Sequence, residues 1–235
     1  GRGLLDRHSS FLALALLALA TGLFLVPAIP GFDGDPDRDS LAALSIPVSI
    51  ALLVLYVGVT WFSLRRHRAL HVASAEEIRA WSLRAALLAL AAATVTTALV
   101  AEILVGSLEV FAEDAGLTEF FVAAVIVAIV GNAAEHGGAV VVAFRGKIML
   151  AGEIALASAA QVAVFLVPAV VLLSWLPPLD PLALSFRPVE IGALAASVAF
   201  TALVLWGGHT SRLRGILLVS GYAAVVLAFL LAGDR

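Results

Sequence analysis

Seven stretches of this chain are apolar for long enough to cross a bilayer, over residues 10–29, 41–64, 81–105, 118–144, 151–176, 189–206 and 215–231. A spanning helix needs about 20 mostly apolar residues. In lipid the backbone must satisfy its own polar groups, and a helix does so within one segment. The chain is 62% hydrophobic and 13% charged, where a soluble domain is about half apolar and a quarter charged. It is therefore predicted to be an all-α polytopic membrane protein with about seven transmembrane helices. The first stretch is too long for a signal peptide, and no convincing cleavage site precedes Asp33.

The connections carry the turn residues and the charges. With the N-terminus inside, Arg2, Arg7, Arg65, Arg66, Arg68, Arg79, Arg84, Arg145, Lys147, Arg212 and Arg214 fall on the inner side. Only Arg38, Arg187 and Arg235 fall outside. That bias matches the excess of Lys and Arg in cytoplasmic loops and predicts a cytoplasmic N-terminus, in what reads as a bacterial inner membrane. The outer connections are acidic, at Asp33, Asp35, Asp37, Asp39, Glu113 and Asp114 among others. The alternating aspartates from Asp33 open like an EF-hand loop, but Arg38 stands where that loop needs Gly and Leu44 where it needs Glu. There are no cysteines, hence no disulfides and no thiolate metal site. No His-Glu-x-x-His and no Gly-x-Ser-x-Gly occurs, so no hydrolase is expected. No nucleic-acid partner is expected either.

Chemistry is concentrated in the fourth stretch, at Gly131-Asn132-Ala133-Ala134-Glu135-His136. Ionisable groups at membrane depth are costly and usually mark an ion or proton pathway. On a helix Asn132, Glu135 and His136 share one side, being three and four residues apart. Gly131, Gly137 and Gly138 flank them, and glycine loosens a helix and allows close backbone approach. Broken helices at midplane recur in transporters, where freed carbonyls and half-helix ends coordinate ions. Oxygens from Glu135, Asn132 and carbonyls suit a hard cation such as Ca²⁺. In the next stretch Ser158 and Gln161 share a face, and Gln161 has an amide oxygen to offer. Glu102, near the outer end of 81–105, is either an interfacial acid or an entry-side ligand. Helix–helix hydrogen bonding is the plain alternative for Asn132, Ser158 and Gln161.

Gly131 to His136 resembles the second signature repeat of the calcium/proton antiporters in the calcium:cation antiporter superfamily. Gly137-Gly138-Ala139-Val140, the small basic loop Phe144-Arg145-Gly146-Lys147, the run Ala157 to Gln161 and Pro168 continue the resemblance. Ala101-Glu102 resembles a Ser-Glu pair in the family's preceding helix. Ala128 and Ala157 stand where the family usually has proline and glycine.

The resemblance implies one half of an inverted-repeat cation exchanger over the last five helices. Residues 1–64 would be two helices belonging to the preceding half, 65–80 a cytoplasmic linker, and 81–235 the second exchanger repeat. It implies that Glu135 holds Ca²⁺ and alternates with a proton, with Asn132, His136, Ser158, Gln161 and Glu102 around it. Ca²⁺ and H⁺ would be cargo, with no resident cofactor. One Gly-Asn-x-x-Glu occurs, and the chain begins at Gly1, so it is expected to be the C-terminal portion of a longer protein. A missing first half, or a homodimer mate, would then complete it. The alternatives are a sodium/calcium or other cation exchanger and a non-transporting membrane subunit.

Overall fold

The computed structural model describes residues 3–4, 7–31, 38–72 and 81–233. Among these residues eight helical segments follow one another: α1 (Arg7–Ala28), α2 (Arg38–Val72), α3 (Leu83–Ala115), α4 (Glu119–Gly131), α5 (Ala133–Phe144), α6 (Ile148–Leu173), α7 (Pro188–Val204) and α8 (Arg212–Ala232). All seven apolar stretches are helical. Among the described residues five helices are long and apolar enough to cross a membrane, α4 and α5 pass that test only as a bent pair, and α7 is a shorter apolar helix of 17 residues.

Two boundaries differ from the sequence reading. α2 runs on to Val72, into the expected linker, because Arg and Leu are good helix formers whether or not lipid surrounds them; residues 73–80 lie outside the described residues. α3 extends ten residues past Val105 and takes up most of the expected outer connection. It is stopped by Gly116, whose φ of 64° and ψ of 31° are left-handed and whose N–H bonds back to Ala112 and Glu113. Thr118 then caps α4, its Oγ1 accepting from the Phe121 N–H at 3.1 Å.

The core joins the first two helices to α6 and α7. Leu14, Leu17 and Phe24 of α1, Val48 and Leu52 of α2, and Val164 and Val171 of α6 are buried in one cluster. Phe24 meets Phe186 at 5.1 Å, and Tyr56 stacks on Phe165 at 4.8 Å. Two buried hydroxyls bond to their own helix, Thr21 to the Leu17 carbonyl at 2.7 Å and Ser45 to the Leu41 carbonyl at 2.8 Å. Ser45 also accepts from the Leu184 N–H at 2.8 Å, tying α2 to the connection before α7. α8 packs on α7, where Gly221 lets the Phe200 ring close in. α3 stands apart: no residue of its Leu83–Leu108 window is buried, and it meets α4 near their shared turn.

Two short strands pair antiparallel, β1 (Gly3–Leu4) with β2 (His209–Thr210), and join the chain's start to the α7–α8 connection. At the opposite end Arg187, Phe120 and Gly233 meet.

Candidate cation site at a broken helix

α4 and α5 meet at a bend of 52°. The break is Asn132, with φ −99° and ψ 9°, outside the helical region. Its side chain stabilises the kink, the Nδ2 donating to the Ala128 carbonyl at 2.9 Å while its own N–H reaches the same oxygen at 3.3 Å. Gly131 is the last residue of α4. Gly137 and Gly138 lie inside the unbroken α5, so the break does not extend to them. A Cβ at any of these three glycines would meet nothing within 4 Å, and no close backbone approach is made there.

Glu135 sits in the first turn of α5, where the helix dipole favours a negative charge. Ser158 of α6 donates from its Oγ to Glu135 Oε2 at 2.5 Å. α5 and α6 can lie side by side because the turn between them is tight, with Gly146 at φ 79°. Ala139 of α5 and Ala160 of α6 are buried, the latter in the core cluster. Gln161 is three residues beyond Ser158, at the end of the regular part of α6. There the helix widens into a π-type stretch, Val162–Leu166, and the Val167 N–H bonds to the Val162 carbonyl. That change of register absorbs the donor Pro168 lacks. Proline was the available sequence signal for it. A second π-type stretch, Val122–Val127, precedes the break and has no such signal.

The structure thus brings Glu135 and Ser158 together and places Asn132 one turn before Glu135. His136 follows Glu135 and is exposed, as is Gln161. Glu102 lies exposed on α3. Glu135 itself is exposed, on a part of α5 that the α1–α2–α6–α7 core does not cover. Among the described residues no three His, Cys, Asp or Glu side chains converge. The arrangement therefore offers one carboxylate and one hydroxyl in contact, with the Asn132 amide a turn away: part of a shell for a hard cation, which takes oxygen ligands.

The family model for the sodium/calcium exchanger protein matches residues 85–231, and the chain belongs to that family. It is 36% identical over 224 residues to the vacuolar calcium ion transporter of Schizosaccharomyces pombe, covering 92% of this chain and 54% of that protein. It is 33% identical over 231 residues to the Ca²⁺/H⁺ antiporter ChaA of Bacillus subtilis, covering 96% of this chain and 64% of the relative. The solved structure of native YfkE superposes with a TM-score of 0.80 at 30% identity, over 98% of this chain and 66% of that one. The chain spans little more than half to about two thirds of the length of these relatives.

Proposed function

We propose that this chain is part of a secondary transporter that exchanges Ca²⁺ for H⁺, with Glu135 as the group that changes partners. The observation that carries this reading is the Glu135–Ser158 hydrogen bond beside a helix broken at Asn132. Exchange follows from simple electrostatics. A cation is held by the charge of a carboxylate, and a proton on the same oxygens removes that charge. Bound Ca²⁺ and a bound proton therefore compete for one group. Asn132, Ser158 and Gln161 supply further oxygens; His136 and Glu102 stand at the approaches. Two relatives named as calcium transporters support the choice of ion.

A single carboxylate neutralises half of a divalent charge. The open side of α5 is where a second acidic helix fits, from a further segment of the protein or a second copy of this chain. In that division residues 1–64 go with the other half and 81–235 form the repeat. The strand end, which bears the Arg212 and Arg214 connection, faces the cytoplasm, in a bacterial inner membrane. A second reading, exchange for Na⁺, is favoured by the name of the matching family.

The deciding experiment uses the complete protein that contains this chain, in vesicles. Ca²⁺ uptake should follow an imposed pH gradient and not a Na⁺ gradient. Glu135→Gln keeps the shape and removes the charge, and should abolish uptake while expression survives. Uptake near the parent level in that variant would remove Glu135 from the mechanism.

A further inference from the structure

Arg187 opens α7 at the end remote from the strands, and its guanidinium meets two other parts of the chain. Its Cζ lies 3.7 Å from the centroid of the Phe120 ring, at the start of α4. Its Nη1 donates to the Gly233 carbonyl, just past α8, at 2.9 Å. Its backbone N–H donates to the Glu190 carboxylate one turn into α7. Phe229 of α8 holds Phe120 from a second direction, edge to face at 5.3 Å. Cation, ring and carbonyl thus bind the ends of three helices.

The guanidinium is not fully satisfied. Nε and Nη2 are buried with no partner among the described residues. What the contacts hold is the outer end of α4, a rod about 20 Å long by its residue count. The other end of that rod is the break at Asn132.

We propose that Arg187 is a positioning residue for the Glu135 site, pinning the far end of α4 so that the break sets the start of α5 at a fixed angle. The inference rests on the reading of Glu135 as the exchange site. With its far end released, α4 pivots about Asn132. The Ala128 carbonyl and the Asn132 amide then move relative to Glu135 and Ser158, and the oxygen shell loses its geometry. No contact between Arg187 and the cation is needed.

The test uses the complete protein, purified and reconstituted, and reads two quantities: the Ca²⁺ concentration for half-maximal flux, and hydrogen–deuterium exchange over residues 119–131. Arg187→Gln should raise the half-saturating concentration roughly 3- to 30-fold, the range over which residues remote from a ligand tune its binding. Maximal flux per folded protein should stay close to the parent, and exchange should quicken over 119–131. Arg187→Lys keeps a cation over Phe120 and a donor for Gly233, and should restore most of both. Phe120→Leu, with Arg187 intact, should reproduce the loss, and it decides the matter if Arg187→Gln does not fold. Parent-like half-saturation in the folded variants overturns the proposal, as does a fall in maximal flux with half-saturation untouched. If the parent protein shows no Ca²⁺ flux, the functional reading fails and exchange judges the pin alone. Quickening confined to 119–131 then sustains it, and unchanged exchange overturns it.

Discussion

Ser158 and Glu135, 23 residues apart in the chain, share a hydrogen bond of 2.5 Å between α6 and α5. That length lies at the short end of the range for O–H···O hydrogen bonds. It occupies one acceptor direction of Oε2 and leaves the others open, so the serine orients the carboxylate without shutting it off.

Removing that orientation should weaken the site. A hydrogen bond to a charged group contributes about 1.5–3 kcal/mol, so Ser158→Ala should raise the half-saturating Ca²⁺ concentration about tenfold or more. Ser158→Thr keeps the hydroxyl and should stay near the parent. The Ca²⁺ dependence of flux in vesicles reads both, and equal values for Ala and parent would deny the serine this role.

Asn132 donates to the Ala128 carbonyl, so its nitrogen matters for the kink. Asn132→Ala should lower flux, and Asn132→Asp should lower it further, because an acceptor then faces a carbonyl. The opposite order, with Asp the more active, would show that the donation from Asn132 to the Ala128 carbonyl is dispensable and that added charge beside the cation outweighs it.

Gly221 sits where a Cβ would come within 2.7 Å of the Phe200 ring. Gly221→Leu should therefore cost about 1–3 kcal/mol by overpacking the α7–α8 contact. Adding Phe200→Ala should recover part of the loss. Thermal denaturation in detergent measures the shift, and additive penalties from the two changes would contradict the contact.

The side of each connection can be read with single cysteines, since the chain has none of its own. An impermeant thiol reagent should label Asp180→Cys on intact cells, and Lys147→Cys only after lysis. Labelling of both from outside would refute the proposed orientation.

Hydrophobic length is a local property, and all seven apolar runs became helices for that reason. Glu135, Asn132 and Ser158 also stood out locally, as polar residues where polarity is costly. The family resemblance put Ser158 around Glu135, whereas residue spacing alone did not, because the tight turn at Gly146 is what lays α6 against α5. The glycines pointed to the right neighbourhood of the break, yet an asparagine makes it, through a bond to its own helix. The helical continuation from Arg65 to Val72 was hidden because composition separates lipid from water, not helix from loop. Arg187 looked like one more loop charge, and its partners Phe120 and Gly233 lie on other helices.

The end-to-end contacts also count crossings. Segments that touch beyond the hydrocarbon lie on one side of it, so the chain between them crosses an even number of times. Phe120 touches Arg187, with the bent pair and α6 between them; if α6 crosses, the bent pair crosses too. Arg187 touches Gly233, with α7 and α8 between them; if α8 crosses, so does α7. Given crossings by α1, α2 and α3, six then separate β1 from β2, an even number, as their pairing requires. On that parity α7 has to span with its 17 residues, about 25 Å of helix against a hydrocarbon layer of about 30 Å. A short span is met by thinning of the bilayer, by snorkelling flanks or by oligomerisation, each at a modest cost, so on that parity a thick membrane is a poorer host for α7 than a thin one.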